Sequence, residues 1–177
     1  MQPIEQVIQQ GYQARREGRP SDAARLFEKA IEESRSLLAQ ALKGAGQIER
    51  DEGQADHGIA RYEEALAIER SLGDRQRIAH TLRHLGDMHL NQGRPDAAEP
   101  FYEEAMRMYR SETGAGALDL ANAILGYSKL RQLRGDIDGA TALLKEARGL
   151  YRALGIDAGV EDCDGRLNGL TRPDATA

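Results

Sequence analysis

The chain has 177 residues, 24 Lys and Arg against 29 Asp and Glu, and a formal net charge of -5. That balance excludes generic affinity for a phosphate backbone, which comes from clustered cations displacing counterions. A lone cysteine, Cys163, excludes an internal disulfide, and with no apolar run near membrane-span length and no secretory signal in MQPIEQVIQQ, a cytoplasmic, all-helical chain is expected, with no nucleic-acid or membrane partner.

Taken in chain order, apolar periodicity and helix stops place a first helix over about 3 to 17, closed by Gly18, and a second over about 20 to 35, opened by Pro20. The stretch REGRPSDAARLFEKA, Arg16 to Ala30, spans that junction and recurs without a gap as DEGQADHGIARYEEA, NQGRPDAAEPFYEEA and LRGDIDGATALLKEA. In each copy a glycine (Gly18, Gly53, Gly93, Gly135) precedes a small residue (Ala23, Gly58, Ala98, Ala140), then a large one (Phe27, Tyr62, Tyr102, Leu144), then alanine (Ala30, Ala65, Ala105, Ala147). Upstream stand Gly11, Gly46, Gly86 and Ser128, preceded by Val7, Leu42, Leu82 and Ile124. Such spacings describe two antiparallel helices, A and B, touching at small residues with large ones filling the gaps. The glycine between them ends helix A in the left-handed conformation.

The remaining A helices are expected over about 37 to 52, 76 to 92 and 117 to 134, and the B helices over about 55 to 72, 95 to 112 and 137 to 154. Gly73, Gly114 and Gly155 close the long B helices, and Pro100 should bend the third or cost it a hydrogen bond. Beyond Gly155, Val160, Cys163, Leu167 and Leu170 share one face of a last helix, which reads as a cap over the apolar end of the final repeat. The N-terminal helix has no such cover, so self-association through it is an alternative role.

The pattern resembles the tetratricopeptide repeat over about residues 4 to 155. Glycine spacings of 35, 40 and 42 along Gly18, Gly53, Gly93 and Gly135 exceed the family's usual 34, and with AEPFYEEA they are similar to the longer repeats of the kinesin light chain branch. The resemblance implies an all-α, right-handed α-α superhelix (TPR solenoid). It would be a single domain over about 1 to 170, with repeats at about 4–36, 37–73, 76–114 and 117–155, a capping helix at about 157–170 and a flexible tail at 171–177. It also implies a non-enzymatic protein- or peptide-binding scaffold. Chaperone-binding members clamp a terminal carboxylate with lysine and asparagines on helix A; in the first repeat those places hold Ile8 and Tyr12, so a clamp is not expected. Peptide-sensing regulators carry a DNA-binding domain ahead of the repeats, which begin here at residue 4, so no output domain is expected either.

The residues argue against catalysis: no phosphate loop, nucleophile elbow or cysteine-histidine cluster occurs, and no cofactor is expected. Glu63-Glu64 and Glu103-Glu104 recur at equivalent positions, which marks a solvated face, because neighbours on a helix point about 100° apart. His80, His84 and Asp87 have the spacing of a two-histidine, one-carboxylate metal site. Arg83 between them disfavours a bound cation by like-charge repulsion. The resemblance instead turns His80, Arg83, His84 and Asp87 toward a concave groove, joined in register by Gln9, Tyr12, Lys43, Gln47, Arg50, Asn122 and Lys129. Basic and amide groups predominate there, whereas the B helices carry Glu28, Glu32, Glu63 and Glu103, so an acidic partner segment is expected, bound more tightly as the histidines gain protons.

Overall fold

The computed structural model describes residues 2–111 and 116–171. Among these are eight α-helices and no strand: α1 (Ile4–Arg16), α2 (Pro20–Asp51), α3 (Ala55–Leu72), α4 (Arg75–Asn91), α5 (Pro95–Ser111), α6 (Ala117–Leu133), α7 (Ile137–Ala153) and α8 (Asp157–Thr171). The all-α class is as the sequence indicates. Gly114 and the tail expected after α8 lie outside the described residues.

Helix starts and stops have local causes. Gly18, Gly53, Gly93 and Gly135, each between an A and a B helix, have φ of +70°, +82°, +68° and +77°, a region other residues enter at a cost of about 1–2 kcal/mol. Asp74 and Asp136 cap α4 and α7 by accepting from the Arg77 and Gly139 amides at 3.1 and 2.9 Å. Pro100 stands inside α5, exposed, and the helix runs on through it.

One expected boundary is missing. The first B helix and the second A helix, placed by the repeat at about 20 to 35 and 37 to 52, are a single helix, α2, of 32 residues, about 48 Å long at 1.5 Å per residue. The cause is chemical: between Pro20 and Gly44 there is neither glycine nor proline, and IEESRSLLAQAL is mostly Ala, Leu, Glu, Gln and Arg, which favour helix. At the corresponding place Gly73 ends α3 with φ +71°, and Gly155, φ +69°, follows α7.

The chain packs as two compact bodies, Met1–Gly73 and a second beginning at Asp74. In the first, α1 lies against the N-terminal half of α2 and α3 against the C-terminal half. Val7, Ala14, Ala23 and Ala30 are buried in one half; Ala39, Leu42 and Ala65, with Ile68 beside them, in the other. Lys43 Nζ donates to Glu69 Oε1 at 2.6 Å across this second contact, and the Glu69 side chain is only 1% exposed. In the second body α5 packs on α4, α6 on α5 and α4, α7 on α6 and α8 on α7. Leu82, Leu85, Tyr102, Ile124, Leu130 and Leu144 form its core. Cys163 buries the inner face of α8, and Arg148 ties α7 to Asp164 at 2.6 Å, as expected of a capping helix.

The small-to-large contacts of the repeat are realised directly. A Cβ on Gly11 would stand 2.9 Å from the Phe27 ring, on Gly46 2.9 Å from Tyr62, and on Gly86 3.0 Å from Tyr102. Leu82→Ala, at a fully buried site, is expected to lower the unfolding free energy by about 2–5 kcal/mol in urea titration. Lys43→Met should cost about 3 kcal/mol, because it strips the ammonium from a carboxylate taken out of water; a loss within the error of the titration would mean that the pair contributes nothing to the fold.

Candidate functional site

The polar residues expected to line a groove fall in both bodies. In the first, Gln9 and Gln47 are exposed. Tyr12, also exposed, meets Phe27 edge to face at a centroid distance of 5.0 Å. Arg50 Nε donates to its neighbour Asp51 at 2.9 Å. Lys43 is committed to Glu69, so its charge serves the packing of α2 on α3.

In the second body the candidates come together. The rings of His80 and His84, one turn apart on α4, meet edge to face at 4.5 Å. Arg83 Nη1 donates to Asp87 Oδ2 at 2.7 Å and Nη2 to His84 Nε2 at 2.8 Å. A guanidinium only donates, so His84 Nε2 is an acceptor and its ring proton sits on Nδ1. The other Asp87 oxygen accepts from the Tyr102 hydroxyl at 2.6 Å. Burial pushes the Asp87 carboxyl above the usual carboxylate range, against the opposing pull of Tyr102, Arg83 and Lys129. Burial, helped by the Asp87 charge, pushes the Tyr102 phenol upward as well.

Facing α4, Lys129 on α6 is exposed and reaches Asn91 Oδ1 at 3.5 Å. Asn122 Oδ1 accepts from the Tyr151 hydroxyl of α7 at 2.7 Å. The α4–α6 face thus joins an inner layer, Arg83, Asp87 and Tyr102, to an outer one of His80, His84 and Lys129. Its geometry is poor for a metal ion: Arg83 occupies both the His84 nitrogen and the Asp87 oxygen a cation would need. Among the described residues no cluster of three or more His, Cys, Asp and Glu is arranged to hold one.

A second charged cleft, of about 430 Å³, lies between α5 and α6 and was not singled out from the sequence; Glu103, Arg107, Arg110, Tyr127 and Arg131 line it. Arg131 donates to the Tyr127 hydroxyl at 2.6 Å, which donates in turn to Glu99 and Glu103 at 3.1 and 3.2 Å. The phenol is pushed up to about 12, first by burial and next by the Glu99 hydrogen bond. Arg134 pairs with Asp96 and Glu99, and Arg110 with Glu146 at 2.8 Å. The available signal was the Tyr127-Arg131 spacing of one helical turn. These ion pairs link helix to helix, and the cleft's charges are largely matched internally.

No helix of the described residues is long and apolar enough to cross a membrane. A search of curated proteins found no match. Among solved structures, the chain is similar to BtubC (BKLC) from P. vanneervenii, with a TM-score of 0.60 and 18% identity over 98% of this chain and 85% of that one; at that identity the likeness is one of fold. The sequence model described as tetratricopeptide repeat matches residues 37–111 and 77–153, a span that holds two of the three glycine-aromatic contacts, Gly46 on Tyr62 and Gly86 on Tyr102, and the chain belongs to the tetratricopeptide-repeat family.

Proposed function

We propose that this protein is a non-enzymatic binding module whose second body takes an acidic segment of a protein partner on the α4–α6 face. Tetratricopeptide repeats generally mediate protein-protein interaction. The observation that carries the finer reading is the exposed ammonium of Lys129 beside the half-exposed pair His80 and His84, above an Arg83 guanidinium whose own carboxylate partner is biased toward protonation. A carboxylate-bearing chain laid along this face meets Lys129 as a point charge and the histidines as further donors. Arg83 acts from beneath, holding His84 and Asp87 in place, and Asn122 is held by Tyr151. The residues of the first body, Gln9, Tyr12, Gln47 and Arg50, offer amide, phenol and guanidinium contacts to a partner but no comparable cluster.

A Glu-rich peptide titrated calorimetrically against the protein should bind more tightly than its Gln-substituted counterpart. Lys129→Glu should weaken it about two- to fivefold, the worth of an exposed ion pair, and equal affinities for both peptides would sink the assignment. Arg83→Glu is expected instead to destabilise the second body by about 3 kcal/mol, since it sets a second carboxylate against Asp87. pH provides an independent check. Because the folded-state pKa of Asp87 is raised, the folded protein holds that proton more tightly than the unfolded chain. The resulting stabilisation is complete below the unfolded carboxylate range and is lost as pH rises through the folded pKa. Urea titrations across that window should show stability falling with rising pH at this group, and Asp87→Asn should remove that component. Over the same window, peptide affinity should rise as pH falls, since protonating Asp87 leaves the positive charge of Arg83 and Lys129 less opposed.

A further inference from the structure

The missing turn in α2 leaves two apolar faces of the first body uncovered, and the second body shows what such faces are shaped to do. There α6 seats on the α4–α5 hairpin. A Cβ on Gly126 would lie 2.8 Å from the Tyr102 ring and hydroxyl and 2.9 Å from Asp87 Oδ1, so glycine is what permits the approach. Along the same face Ala123 and Leu130 are fully buried, and the Tyr127 ring is 6.0 Å from that of Tyr102.

Aligned on Gly53 and Gly135, the α2 residues at the positions of Ala123, Gly126 and Leu130 are Ala41, Gly44 and Ile48. All three are exposed, Ile48 by 61%, and a Cβ on Gly44 would meet nothing within 4 Å. They lie beside, not among, the residues Ala39, Leu42 and Gly46 that α2 buries. The receiving surface is equally bare. Aligned on Gly18 and Gly93, Asp87, Tyr102 and Met106 correspond to Tyr12, Phe27 and Ile31. Met106 is 5% exposed, whereas Tyr12 and Ile31 are 48% and 49% exposed. An apolar cleft of about 490 Å³ opens there, with Ile8 and Ala30 on its wall. Stripe and cleft are both built, and the uninterrupted α2 carries them on successive stretches of one helix, where they cannot meet.

We propose that two copies of this chain exchange these faces in a twofold, domain-swapped dimer. The stripe of Ala41, Gly44 and Ile48 on one copy lies in the cleft of Ile8, Tyr12, Phe27 and Ile31 on the other, and the reciprocal contact forms at the same time. Symmetry makes the two contacts identical, so each copy loses both exposed faces in one association. Closing the same contact within one chain would require breaking α2 where no glycine or proline helps, and a connection too short to reverse is the ordinary route to exchange between copies. The occupant is a second copy because the complementary stripe is present on the chain itself, in the register in which α6 fills the equivalent surface.

Sedimentation of the full chain from about 1 to 100 μM, spanning the range in which assembly responds to concentration, should show a species of twice 19.5 kDa. Ile48→Glu and Ile31→Glu, both at exposed positions, should each return it to 19.5 kDa with an unchanged circular dichroism spectrum. A copy of the Leu72-Gly73-Asp74 turn inserted between Ser34 and Arg35 should also give a monomer, because the stripe can then fold back onto its own cleft. Mixing Tyr12→Cys and Gly44→Cys chains under mild oxidation should yield a disulfide-linked dimer. A wild-type mass of 19.5 kDa throughout, a dimer indifferent to both glutamate substitutions, or no cross-link in the mixture would overturn the proposal.

Discussion

Two helix backbones can lie close only where one of them gives up its side chain, and the fold rests on that exchange. In three successive repeats a glycine of helix A faces an aromatic ring of helix B at a distance that leaves no room for a Cβ: Gly11 on Phe27, Gly46 on Tyr62, Gly86 on Tyr102. The ring fills the gap left by the missing side chain, so neither residue can change size alone. The fourth repeat keeps the sum while altering both terms. Ser128 replaces glycine, buries its hydroxyl against the Leu125 carbonyl at 2.7 Å, and the register pairs it with Leu144 in place of a ring. Close packing of A on B then fixes which face of every helix turns inward, and through it the position of the polar residues on α4 and α6.

This constraint is periodic, which is why most of the fold was legible from residues alone. Left-handed glycines at Gly18, Gly53, Gly93 and Gly135 mark the turns, and the small and large positions between them give the inward faces. What periodicity could not supply was the B-to-A reversal after the first repeat. That turn was inferred from the other repeats, although the local chemistry of residues 31 to 42 contains nothing that stops a helix and the Gly18-to-Gly53 spacing is the shortest of the three. Local propensity prevailed over the repeat. The sign of it was present in the sequence, in the absence of any counterpart to Gly73 or Gly155.

The polar residues were legible only as far as their register. A side chain's place on helix A follows from spacing, but its partner is set by what the neighbouring helix carries. Lys43 illustrates the gap. Glu69 occupies the α3 position held by buried Tyr109 and Tyr151 in later repeats, and a carboxylate in such a place needs a cation close by, so the lysine is drawn inward. Arg83 is similarly committed, to Asp87 and His84, and Asn122 to Tyr151. Each of these pairs joins residues 1 to 29 positions apart, and only the shortest are visible as helical neighbours. Lys129 differs from these: it feels the Asp87 charge across the α4–α6 face, but its ammonium stays exposed and reaches only the neutral Asn91 amide oxygen, at 3.5 Å.

The two bodies therefore present surfaces of different physics. On α4 and α6 the polar side chains at the surface are ionised or titratable, so the attraction such a face exerts on a carboxylate is screened by salt and tuned by the proton on Asp87. On α1 and α2 the exposed apolar groups are Ile31 and Ile48, with half-buried Ile8 and Phe27 beside Ile31, and attraction between such groups comes from burial of apolar area, which added kosmotropic salt strengthens. A helix with Ala39, Leu42 and Gly46 buried on one face and Ala41 and Ile48 bare on the next is apolar over too wide an arc for a solvent-facing rod. Its sequence is that of a helix covered on both sides, and α3 covers one of them.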